Sequence, residues 1–125
     1  MKMYQILECK KFYNDIKEKK MPIKTAYKLN KLLNKLEEEA FFYQKKMTDL
    51  IREYGMIDEN GDYLLTSDQQ GVRIKPDKIQ ECEEKIRELS NLEIDAIDIK
   101  FTLEELDFFE LSITEMEWLM PFIEE

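Results

Sequence analysis

Apolar residues recur through residues 22–54 at alternating spacings of three and four: Ala26, Leu29, Leu33, Leu36, Ala40, Tyr43, Met47, Leu50 and Tyr54. That period predicts one continuous helix burying a narrow stripe. Pro22 suits its start, because a first helical position has no use for an N–H, and Gly55 suits its end, where glycine can turn left-handed. At a rise of 1.5 Å per residue such a helix is about 50 Å long.

Ile6, Cys9, Tyr13 and Ile16 repeat the spacing within residues 4–20, with Leu7 and Phe12 widening the stripe. The short link before Pro22 then predicts an antiparallel helical hairpin, the first helix covering Ala26 to Leu36. After Gly55 the pattern changes. Asn60-Gly61 and Ser67 to Gly71 read as turns, while Tyr63 to Thr66 and Val72 to Ile74 have strand composition, so a small β-hairpin is expected. Pro76 opens a third helix in which Ile79, Cys82, Ile86 and Leu89 form a stripe able to cover Ala40 to Tyr54. Leu92 to Phe101 alternates Ile and Asp as a short strand does, a candidate to pair with the hairpin. Thr102 with Glu105, and Ser112 with Glu115 or Thr114 with Glu117, are capping boxes that open two short helices over residues 102–109 and 114–123. Met116, Leu119, Met120 and Ile123 give the last an apolar face, with Trp118 on its flank.

The fold class that follows is mainly α with a minor β part: a long central helix in an antiparallel helical hairpin or coiled coil, a β-hairpin insert and short C-terminal helices. With 125 residues, 43% of them hydrophobic, the chain reads as a single domain. Its parts are a helical hairpin (1–54), a β-hairpin (55–75), a helix (76–91) and an acidic C-terminal strand with short helices (92–125).

Charge adds an asymmetry. Residues 1–54 carry 13 basic and 8 acidic groups and residues 55–125 carry 6 and 20, so +5 faces −14 within the net −9. The two parts are suited to dock on each other, or head to tail between chains, and the acidic remainder disfavours general nucleic-acid binding. Cys9 and Cys82 are too few for a disulfide framework and read as free thiols of a reducing cytoplasm. No leader-like or membrane-length apolar run is present, so no membrane partner is expected.

Three stretches, MPIKTAYKLNKLLNKLEEE, LIREYGMIDENG and EIDAIDIKF leading to ITEMEWLMPFIEE, together resemble a group of short proteins of uncharacterised function encoded by phages and prophages of Gram-positive bacteria. The resemblance implies an accessory or assembly protein acting in the host bacterial cytoplasm. It brings no catalytic residues with it.

The chain has no histidine, which excludes Ser-His-Asp and Cys-His catalysis and imidazole metal sites. Cys82 beside Glu83 and Glu84 lacks the electropositive surroundings of a reactive thiol. Glu81, Glu84 and Glu88 lie on adjacent helical turns and could hold Mg²⁺ as in all-α nucleotide pyrophosphohydrolases, with Glu37, Glu38 and Glu39 as neighbouring acids. Lys85 and Arg87 make the same face read as solvated surface. Asp58 to Asp62 lacks the spacing of a calcium loop, and no cofactor is expected.

Lys24, Lys28, Lys31 and Lys35 form a basic stripe away from the seam, suited to an acidic surface, including the chain's own C-terminal part. Tyr27 and Phe41, fourteen residues apart, share an off-seam side of the helix, with Phe42 beside them. Such groups are covered either by the C-terminal helices carrying Phe108, Phe109 and Trp118, or by an oligomer or partner. The leading expectation is a non-enzymatic protein-interaction module of phage origin that binds a host or phage protein, or its own copies. The alternatives are an acidic inhibitor of a host restriction or CRISPR nuclease, imitating phosphates with Asp95, Asp98, Glu104, Glu105, Asp107 and Glu110, and a metal-dependent nucleotide hydrolase.

Overall fold

A computed structural model of the chain describes residues 1–107 and 109–124. It is mainly helical: α1 (Met3–Ile16), α2 (Ile23–Tyr54), a 3₁₀ turn (Pro76–Lys78), α3 (Ile79–Ser90), α4 (Leu103–Leu106), α5 (Ile113–Leu119) and a closing 3₁₀ turn (Met120–Phe122). By its contacts the chain forms two compact units, Met1–Phe41 with Leu92–Glu125, and Phe42–Asn91. The helix α2 contributes residues to both and is unbroken from Ile23 to Tyr54.

In the first unit α1 ends at Ile16, the last residue of its apolar spacing and short of the expected bound at residue 20. Residues 17–22 form the link, and the residue before a proline is pushed out of the helical region, so Met21 cannot continue a helix into Pro22. The core is assembled from Met3, Ile6, Phe12 and Ile16 of α1, from Leu29, Leu32, Leu33, Leu36 and Ala40 of α2, and from Phe101, Leu106, Leu119 and Phe122 beyond them, all buried. Burying one such side chain contributes about 1.5–3 kcal/mol, so this stripe is the main support of the unit. The two capping boxes at Thr102/Glu105 and Ser112/Glu115 are both formed. The helices they open are short. Helix α5 gives way at Met120 to the 3₁₀ turn that contains Pro121, whose ring removes a donor. Helix α5 packs on α1, with the Cys9 thiol donating to the Trp118 carbonyl at 2.7 Å and Phe12 meeting Phe109 edge to face.

Residues 92–101 do not form the expected strand. The run is tied only near its ends, through an antiparallel bridge between Lys2 and Glu93 and a parallel one between Phe101 and Ile123. Its bridge partners, Lys2 and Ile123, lie at the N-terminus and beyond α5 rather than in the expected hairpin. The alternation of Ile and Asp marks half-burial, which an extended segment lying on helices satisfies as well as a strand does.

In the second unit Tyr54 and Cys82 are buried, and Lys85 of α3 lies 3.9 Å from Glu53 and 5.5 Å from the Tyr54 ring centroid. The seam is only half-buried at Tyr43, Met47 and Leu50. The β-hairpin expected over residues 55–75 is replaced by three isolated antiparallel bridges, Gly55 to Ile74, Ile57 to Tyr63 and Leu65 to Val72. Their hydrogen bonds close on themselves: Leu64 N–H donates to the Met56 carbonyl, Arg73 N–H to Leu64, and Met56 N–H to Arg73, at 2.8–2.9 Å. Each of three short segments is thus bridged to the other two, a ring in place of a two-stranded hairpin. The Asp58 carboxylate braces the first connecting turn by accepting from the Asn60 and Asp62 N–H groups, and Gly61 there has a φ of +85°.

Gly55 ends α2 for a different reason from the one its sequence position suggests. Its φ is not positive. A Cβ there would stand 2.5 Å from the Ile51 carbonyl oxygen and 3.1 Å from the Tyr63 ring, so the site requires absence of a side chain. Gly55→Ala is therefore expected to cost about 1–3 kcal/mol, as overpacking does. Gly71→Ala, with Thr66 Cγ2 at an ordinary 3.7 Å, should change stability by no more than about 0.5 kcal/mol. Calorimetric melts of the two variants check this.

Candidate interaction surface

An α-helix advances about 100° per residue, so Ile23 and Phe41, eighteen residues apart, share one angle, with Tyr27 and Asn34 close to it. This line lies opposite Leu29, Leu33 and Leu36. The structure leaves it open: Ile23 is 88% exposed, Tyr27 61% and Phe41 67%. The C-terminal helices therefore do not cover these aromatics. Phe109 is buried and Trp118 half-buried in the first unit, while Phe108 lies outside the described residues. Ile23 belongs to the surface although its place at the helix start hid it; its spacings of four from Tyr27 and eighteen from Phe41 were the available signal. Phe42 is 39% exposed, belongs to the second unit and has Lys46 Nζ 5.6 Å from its ring centroid.

The lysine stripe divides. Lys24, Lys31 and Lys35 are exposed; Lys31 Nζ sits 4.8 Å from the Tyr27 ring centroid, and Lys35 approaches Glu38 at 3.9 Å. Cation–ring contacts of this kind hold an exposed aromatic in place for about 0.5–1 kcal/mol. Lys28 turns inward. Its ammonium donates to the Lys100 carbonyl at 3.0 Å and to Glu105 Oε1 at 2.9 Å, and it lies 5.7 Å from the Phe101 ring centroid. Thr25, one turn earlier and buried, donates to the Glu105 carbonyl. Lys28 and Glu105 thus tie α2 to the C-terminal segment and drop out of the basic and acidic surfaces to which their charge assigned them.

Asp95, Asp98, Glu104, Asp107 and Glu110 remain exposed. Asp95 and Asp98 line a cleft of about 580 Å³ with Lys31, Asn34, Lys35, Glu38 and Glu39, so both signs of charge face each other beside the aromatic line. Glu81, Glu84 and Glu88 are exposed, Glu81 paired with Lys78 at 3.4 Å. No three acidic or cysteine side chains converge as a metal cage among the described residues. Burial pushes the Cys9 thiol up to about 12, with Glu8 adding to it, and burial raises Cys82 as well. Both are held as thiols, poor nucleophiles. Among the described residues no helix is long and apolar enough to cross a membrane.

The Lys28 hydrogen bond, and after it the Thr102 N–H, hold the Glu105 carboxyl below its ordinary value against the opposing effect of burial. Because the folded value lies below the unfolded one, the charge contributes stability above the unfolded value and loses it as pH falls through the folded one. Glutamine keeps the cap geometry and removes the charge. Glu105→Gln should melt below the parent at neutral pH, with the gap closing as pH falls through and below the ordinary glutamate range; thermal melts from neutral to acid pH check it.

Comparison of the chain with models of protein families, with curated proteins and with solved structures finds no match.

Proposed function

We propose that this chain is a non-enzymatic protein-interaction module that recognises a protein partner through the outward face of α2 within the first unit, serving as a phage or prophage accessory protein in assembly or host takeover in the bacterial cytoplasm. The observation that carries the reading is the exposure of Ile23, Tyr27 and Phe41 along one line of a helix whose opposite side, within the first unit, buries Leu29, Leu33, Leu36 and Ala40. Burial of the core asks nothing of these three residues, and exposed asparagine or lysine would serve a solvated face equally well. Aromatic anchors rimmed by charge are the composition of a recognition face, because the rings supply contact area with few rotatable bonds. Lys24, Lys31 and Lys35 supply the rim, and the neighbouring cleft with Asp95 and Asp98 extends it with the opposite sign.

Tyr27→Ser/Phe41→Ser tests this. Both side chains are exposed, so the double variant should melt within about 0.5 kcal/mol of the parent yet lose a protein that the parent retains from a bacterial lysate. The same retained proteins from both forms would remove the reading. The inhibitor alternative is favoured by the exposed Asp95, Asp98, Glu104, Asp107 and Glu110. It requires instead that changing these five to Asn and Gln abolishes binding while the aromatic double variant keeps it.

A further inference from the structure

A second feature of the first unit lies away from the aromatic line. Where α1 ends and α2 begins, Ile16, Met21, Ala26, Leu29 and Leu33 form the apolar floor of an open cleft of about 510 Å³, within the range of about 300–1,000 Å³ usual for binding pockets. Its rim is basic: Lys17, Lys19 and Lys20 line it, with Tyr13 and Asn30 as its other polar members and no acid. The three lysines are exposed. Among the described residues no ion pair involves any of them, and the Lys19 ammonium lies 6.0 Å from the Phe109 ring centroid. An apolar floor under three cations calls for a segment that presents apolar side chains flanked by acids.

The chain itself carries such a segment. Helix α5 uses one side for its own core, through buried Leu119 and the Trp118 carbonyl that accepts from Cys9. Its other side presents Ile113, 82% exposed, and Met120, the first residue of the 3₁₀ turn that follows it, is 53% exposed, with exposed Glu117 between them and exposed Glu110 just before the helix. Ile113, Glu117 and Met120 stand at i, i+4 and i+7, the spacing by which an amphipathic helix seats in a groove. We infer that the cleft between α1 and α2 receives helix α5 of a second copy of this chain, each copy seating the other's helix about a two-fold axis. Ile113 and Met120 enter the apolar floor, and Glu110 and Glu117 meet Lys17 and Lys20. Reciprocal seating uses both surfaces of both copies and closes the assembly, whereas a one-way contact of the same surfaces would run on into a filament. The pairing is independent of the aromatic line, and its test reads self-association alone.

Sedimentation of the full chain over a concentration series should show a monomer–dimer equilibrium. Lys17→Glu/Lys20→Glu and Glu110→Lys/Glu117→Lys should each be monomeric alone, since each places like charges across both contacts. A one-to-one mixture of the two should regain the dimer, because every contact between the different variants again joins opposite charges. Ile113→Asp, at a position almost fully in water, should fold as the parent does by circular dichroism and lose the dimer. A parent that stays monomeric throughout, a variant that dimerises unaided, or a mixture that remains monomeric overturns the inference.

Discussion

Leu29, Leu32, Leu33, Leu36 and Ala40 lie on one side of α2, and all five are buried. No helix buries such a stripe by itself, so the first unit is arranged by the need to bring other segments over it. The link at residues 17–22 returns the chain so that α1 and the start of α2 line the same cleft, and the C-terminal segment is fastened to α2 through Thr25 and Lys28. Lys28 sits on the border of the stripe, where a long side chain can bury its stem and still carry its charge to Glu105. That position explains why a single lysine of the four is used internally. Its neighbours Lys24, Lys31 and Lys35 lie further round the helix and stay exposed.

The parts of this arrangement set by short-range repetition were legible in the sequence. The spacing of three and four gave α2 its extent to within a residue, and capping boxes announced α4 and α5 because they are local chemical patterns, although two boxes competed for α5 and both helices are shorter than expected. Residues 55–75 were not legible in the same way. Each arm of the ring of bridges is only two or three residues long, too short for an alternation to register, and the arm at Gly55 to Ile57 was hidden by its place at the end of a strong helix. Gly55 itself was identified as the helix end, but for a conformational reason where the structure gives a steric one. For residues 92–101 the alternation was real and its interpretation was not, since half-burial has more than one architectural cause.

The candidate surface divides along the same line. That Tyr27 and Phe41 lie off the seam follows from counting residues; that nothing covers them does not, because coverage depends on where distant segments come to rest. Charge shows the limit most plainly. The row of lysines and the run of acids both exist, yet one member of each, Lys28 and Glu105, leaves its row to form the tie between them. Sequence counts such groups as equal when burial makes them unlike.

The split of charge between the two ends of the chain has a further consequence. Were the acidic C-terminal part laid evenly along the basic helix, the lysines would be spent within the molecule and little field would remain outside it. Instead one buried-side contact, reinforced by Thr102, Thr25 and the Phe101 ring, fixes the segment, and Lys24, Lys31, Lys35, Asp95 and Asp98 stay exposed. A tie of this kind fixes geometry through several hydrogen bonds at once, whereas exposed pairs contribute at most about 1 kcal/mol each and are screened by salt. Economy inside thus leaves charge of both signs outside, beside apolar groups that the core did not need, and such mixed faces favour an oriented encounter over indiscriminate adhesion.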